Sequence, residues 1–178
     1  MVVIHANDPT TRILSQLYKS RNDVTKYISE SNTNAEVKNA VRFDTPILML
    51  GHGNQHGLFS KPNKKGVYDR FLITDRHVQF LRDKVCIGIW CYANEFAEHY
   101  RLKGLFSGMI ISEVKEAVNN QIEASKEEID SEMELFTQRL KYCIEHYELK
   151  DVPAKMLELD NIQSQLTQFN YSRLFYYG

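Results

Sequence analysis

Cysteine is scarce in this chain of 178 residues, with three in all: Cys86, Cys91 and Cys143. An odd count, two of the three in or beside one apolar run, is not the framework of a disulfide-stapled domain; it points to a reducing compartment. Long apolar runs are missing as well. None approaches the ~20 residues that a membrane-spanning helix needs, so no membrane partner is expected. Neither sign of charge dominates, the formal net charge being −1, and nothing in the composition asks for nucleic acid. Met1 runs straight into Val2-Val3-Ile4, without the charged lead and apolar core of a secretory signal. A cytoplasmic location is therefore the expectation. Repeats and low-complexity linkers are also lacking. The length suits one domain over 1–178, with a core large enough to need no disulfide, metal or other cofactor.

What is present is an alternation of apolar runs and helical patterns. The most informative run is Pro-Ile-Leu-Met-Leu-Gly-His-Gly-Asn-Gln-His-Gly, residues 46–57. A short apolar stretch bounded by Pro and Gly reads as a buried parallel strand. It ends in Gly51-His52-Gly53. A second run, Val85-Cys86-Ile87-Gly88-Ile89-Trp90, ends in Cys91. Further strands are expected at 2–6, 24–29, 106–111 and 171–178. Helices are expected at 10–20, 34–43, 74–83 and 94–103, the last stopped by Gly104. Turn and cap residues at 7–10 introduce the first of these, with Asp8 and Thr10 as cap candidates. A small hairpin is expected around Gly57-Leu58-Phe59. Beyond Ser112 the chain is rich in Glu, Lys and Gln. Residues 113–147 read as one long amphipathic helix or a helical pair, with a second helical stretch over 154–168. The Met133, Phe136, Leu140, Cys143, Ile144, Tyr147 stripe is packing surface, as in any core-facing helix. The βαβ alternation implies an α/β fold, a mostly parallel sheet of about six strands with helices on both faces.

Two buried parallel strands, one ending in His52 and one in Cys91, place both side chains on the carboxyl edge of the sheet, where open α/β sheets keep their sites. A cysteine nucleophile and a histidine base need that proximity without nearness in sequence. In this reading His52 takes the Cys91 proton and returns it to the leaving amine. The backbone N–H groups of Gly53 and Cys91 meet the developing oxyanion. Taken singly, each residue also has an ordinary explanation: a satisfied strand-end histidine, a small core thiol. His56, four residues past His52, is the weaker base because it falls in the following loop. A metal site from His52, His56, Cys86 and Cys91 fails on geometry. Five residues of strand separate the two thiols by ~16 Å and turn them to opposite faces, whereas zinc needs ligands at ~2.0–2.3 Å.

These residues resemble a known family. Leu-Gly-His52-Gly-Asn-Gln-His-Gly together with Gly-Ile-Trp-Cys91-Tyr-Ala-Asn is similar to the His-Gly and strand-end Cys pair of the caspase/gingipain superfamily of cysteine peptidases. The closing Arg173-Leu174-Phe175-Tyr176-Tyr177-Gly178 resembles that of its CHAT-type members. The resemblance implies a caspase-like three-layer sandwich, with helical residues 113–168 inserted before the last strand. It also implies a peptide or protein substrate whose side chain before the scissile bond lies near the ends of the first and fifth strands. Asp8 and Glu113 stand there, and two acids suit an Arg or Lys, as in the gingipain-like branch. Both acids also suit the first turn of a helix. The Gln-Ala-Cys-X-Gly of animal caspases is absent, and no long cleavable linker follows Cys91, so Asp specificity and two-chain maturation are not expected. The alternative is a silent module of the same fold, engaging a protein partner through 113–168.

Overall fold

The structure is a computed structural model that describes residues 1–6, 8–43 and 45–178. The turn expected around Asn7 lies partly outside them. In chain order the strands are β1 (Val2–His5), β2 (Lys26–Ile28), β3 (Ile47–Leu50), β4 (Gly53–Asn54), β5 (Gly57–Phe59), β6 (Phe71–Ile73), β7 (Val85–Ile89), β8 (Lys103–Ser107) and β9 (Leu174–Tyr177). Six of them form one sheet in the order β2-β1-β3-β7-β8-β9. All its pairings are parallel except β8 with β9. The chain is thus an α/β protein. The short strands β4, β5 and β6 make a separate antiparallel sheet, of which the Gly57-Leu58-Phe59 hairpin is one part.

Side chains alternate across the main sheet, as strand geometry requires. Val2, Ile4, Ile47, Met49, Cys86 and Phe106 turn to one face. There they meet α1 (Asn34–Phe43), α2 (Val78–Leu81) and α3 (Ala93–Tyr100). Val3, Leu48, Leu50, Ile87, Ile89 and Leu105 turn to the other. That face is covered by a 3₁₀ helix (Pro9–Leu17), α5 (Lys126–His146) and α6 (Val152–Glu158). Each fully buried aliphatic side chain contributes about 1.5–3 kcal/mol. A smaller cluster packs α4 (Val114–Asn119), α5 and α7 (Gln165–Tyr171) around the fully buried Ile111. No helix among the described residues is long and apolar enough to cross a membrane.

Several expected boundaries shift; the closing strand, for one, begins at Leu174, because Tyr171 ends α7. The first helix is 3₁₀ and ends at Leu17 rather than 20. Strand β8 runs over Lys103–Ser107, not 106–111. The preceding helix stops at Tyr100, with Arg101 in the left-handed region at φ 55°. Gly104 therefore lies inside the strand. A Cβ there would stand 1.8 Å from the Cys86 carbonyl oxygen, so only glycine allows β7 and β8 to approach. Of the two readings of residues 113–147, one long helix or a helical pair, the pair is what forms, as α4 and α5. The stretch 154–168 is broken because Asp160 Oδ1 accepts the Ile162 and Gln163 N–H groups (3.1 and 3.0 Å), closing a turn between α6 and α7.

Candidate active site

Register places the two expected residues together. Strands β3 and β7 pair in parallel with Leu50 opposite Ile89, and the Gly51 N–H donates to the Ile89 carbonyl at 3.1 Å. His52 and Cys91 each stand two residues past that matched pair, on the same edge. Both line a small cavity of about 30 Å³, room for one water molecule, whose wall includes Thr10, Ile110, Ser112 and Met133.

The Cys91 side is held rigidly. Ser107, fully buried, accepts the Trp90 N–H at 3.0 Å and donates to the Trp90 carbonyl at 2.8 Å. A side chain thereby replaces the strand partner that β8 no longer provides. Tyr92 follows in the left-handed region at φ 67°, which turns the chain sharply into α3. The Cys91 thiol is half-buried and donates to the Ile110 carbonyl at 3.7 Å. Burial, and then the Glu116 carboxylate, push it up to about 12. Cys91 is thereby held as a neutral thiol and not as the lowered thiolate that a nucleophile uses. Among the described residues no hydrogen bond joins it to His52. Cys86 is pushed to about 12 and Cys143 to about 11, in both cases by burial first.

The His52 side is a chain of short contacts. Its Nε2 lies 2.7 Å from the Thr10 hydroxyl, which donates to Asp8 Oδ1 at 2.9 Å. The Thr10 N–H also reaches Oδ1 at 3.0 Å, and the Tyr68 hydroxyl donates to Oδ2 at 2.7 Å. Asp8 is buried. Burial opposes its charge, but the donors, led by Tyr68, outweigh it and hold the carboxyl below its ordinary value. Asp8 is thus the cap of the 3₁₀ helix and a partner of the His52 network. It is not among the residues lining the cleft that Glu113 borders.

Glu113 does line a cleft. A cavity of about 500 Å³ adjoins the His52–Cys91 cavity through Thr10, Ile13, Ser112 and Met133. Its walls include the apolar Ile13, Val114, Ile129 and Met133, and its rim carries Glu113, Asp130 and Glu134. The one basic residue on it, Lys126, is paired with Asp130. Glu116 is not on this wall; it accepts the Ser112 and Glu113 N–H groups at 2.8 and 3.1 Å.

Gly53 has a steric reason for being glycine. A Cβ there would lie 2.2 Å from Trp90 Cδ1 and 2.5 Å from the Gly57 carbonyl oxygen. The Phe59 N–H donates to the His52 carbonyl at 2.8 Å, which makes Gly53 and Leu58 a non-hydrogen-bonded pair. The Gly53 N–H consequently turns away from β5 and is not spent on the ladder. His56 sits exposed in the turn between β4 and β5 and lines neither cavity. Thr10, Tyr68 and Ile110 were not legible as site residues. Thr10 reads only as a cap, and nothing in sequence ties Tyr68 to an acid 60 positions earlier. No protein-family model matches this chain, and no curated protein matches it.

Proposed function

We propose that the chain is a cysteine endopeptidase of the caspase/gingipain kind, with a caspase-like fold. The observation that carries this reading is the matched offset of His52 and Cys91 from the paired residues Leu50 and Ile89, both lining one cavity at the carboxyl edge. Substrate displaces the Cys91 thiol from the Ile110 carbonyl, and His52 accepts its proton. The thiolate attacks the peptide carbonyl, with the negative oxygen received by the Gly53 and Cys91 N–H groups. His52 then returns the proton to the leaving amine, and water hydrolyses the thioester. The cleft beside the pair takes a side chain with an apolar stem and a basic tip, because its walls are aliphatic and its rim acidic. The reaction belongs in the reducing cytoplasm, where the thiol persists.

The test is cleavage of a peptide library by the wild-type protein and by Cys91→Ala and His52→Ala. Either substitution abolishes cleavage, and the double variant is little worse than each, since the two act as a unit. His56→Ala retains most of the activity. Wild-type protein that cleaves nothing at any pH overturns the reading.

One observation favours a second reading. The Cys91 thiol is bonded to a backbone carbonyl and held neutral, which suits a silent caspase-like module binding a protein partner through 113–168. Failure of every peptide, with retained binding of a partner to that region, would support it.

A further inference from the structure

Proton accounting around Asp8 fixes something the heavy-atom positions alone do not show. Buried and ionised, Asp8 can only accept hydrogen bonds. Thr10 has one hydroxyl proton, and the contact at 2.9 Å gives it to Asp8 Oδ1. That hydroxyl can then only accept from His52 Nε2, 2.7 Å away. Neutral His52 therefore carries its proton on Nε2 and its lone pair on Nδ1. Protonation of Nδ1 leaves the Nε2–H···Thr10···Asp8 chain unchanged, with the Asp8 charge one hydroxyl removed from the imidazolium. The other oxygen of Asp8 belongs to Tyr68, which lies in the loop joining β5 to β6. The Tyr68 ring stacks on Phe59 and packs against the His52 ring, with centroids 5.2 Å apart in each case.

We propose that Asp8, Thr10 and Tyr68 are positioning residues for His52, fixing its tautomer. Through Tyr68, the loop from β5 to β6 contributes to that state. The loop supplies the donor to the second oxygen of Asp8 and a tilted ring contact for the imidazole. The inference rests on the reading of His52 as the proton acceptor, but it is measurable without any turnover.

The experiment is two-bond nitrogen–proton NMR of the imidazoles in the full chain labelled with ¹⁵N, alongside Thr10→Val, Thr10→Ser and Tyr68→Phe. The wild-type His52 pattern is that of the single Nε2–H tautomer. Thr10→Val, which keeps shape and removes the hydroxyl, gives a mixture of tautomers; Thr10→Ser restores the single form. Tyr68→Phe keeps the ring packing and weakens the preference part-way. Circular dichroism confirms that each variant folds. If peptides are cleaved, Thr10→Val lowers kcat by about 10²-fold with KM little changed, as expected for a displaced base. A wild-type mixture, an Nδ1–H pattern, or no change in Thr10→Val overturns the relay even where cleavage is strong. A clean Nε2–H pattern without cleavage supports the relay and counts against the peptidase reading alone.

Discussion

The Asn170 side chain stands in for a β-strand against Ile111: its Oδ1 accepts the Ile111 N–H at 2.8 Å and its Nδ2 donates to the Ile111 carbonyl at 3.2 Å. Both residues are fully buried. The adjacent carbonyl, that of Ile110, is the one that holds the Cys91 thiol. Asn170 thus fixes the segment forming one wall of the site, as Ser107 fixes Trp90 on the other. Asn170→Ala leaves two buried backbone groups unpaired, each worth about 1–3 kcal/mol. Urea unfolding should show a loss of about 2–6 kcal/mol, and an unchanged midpoint would mean that water or a shifted backbone replaces the amide.

Resting Cys91 should react slowly. With the thiol pushed up to about 12 by burial and Glu116, only the thiolate fraction alkylates, so iodoacetamide labelling at pH 7.5 should be at least about 100-fold slower than for a free cysteine. The rate should climb about tenfold per pH unit up to the pKa. Mass spectrometry of the labelled thiols decides it, and a rate equal to that of free cysteine would show the thiol already activated.

Glu132 is buried in α5, and among the described residues neither carboxylate oxygen has a hydrogen-bond partner; the Asn170 amide stands near without bonding geometry. Burial pushes its pKa from the ordinary 4.5 to about 7, against the pull of Arg139. The fold therefore holds the proton more tightly than the unfolded chain does. Stability from this group is complete below about pH 4.5 and is lost as the pH rises to about 7. At one unit per 1.4 kcal/mol, the loss is on the order of 3 kcal/mol. Glu132→Gln should thus unfold at higher urea than wild type at pH 8 and at about the same urea at pH 4. Parallel curves at both values would place the titration elsewhere.

Gly53→Ala forces a methyl group into Trp90 and the Gly57 carbonyl. Backbone cannot yield as a flexible side chain does, so a cost of about 1–3 kcal/mol is expected. The turn carrying His52 should shift with it. Thermal unfolding, with tryptophan fluorescence of the single Trp90 as local reporter, checks both.

The acidic cleft makes a specificity prediction. If the proposed peptidase reading holds, removing Glu113, Asp130 and Glu134 together, each as Gln, should cut a preference for Arg or Lys over a neutral side chain by about 10–200-fold and spare cleavage itself. Competing peptide pairs measure the ratio directly. An unchanged ratio would place the side-chain pocket elsewhere.

The sequence by itself determined the parallel strands and the edge on which His52 and Cys91 emerge. Apolar runs of four or five residues ending in Gly-His-Gly and in Cys can be buried on both faces in few ways, and strands running in parallel put their ends together. It also marked Asp8 as a cap and Glu113 as an acid at the first turn of a helix. It missed the end of α3, because Gly104 reads as a helix stop and its real purpose, a close approach to Cys86, depends on the neighbouring strand. Tertiary structure alone decided the rest. Whether Asp8 faces a substrate or a histidine depends on Tyr68, brought from 60 residues away. Whether Cys91 is a thiolate or a thiol depends on burial and on a carbonyl that Asn170 helps to hold in place. Such contacts join residues with no periodic relation in the chain, so only the closed packing of helices on the sheet specifies them.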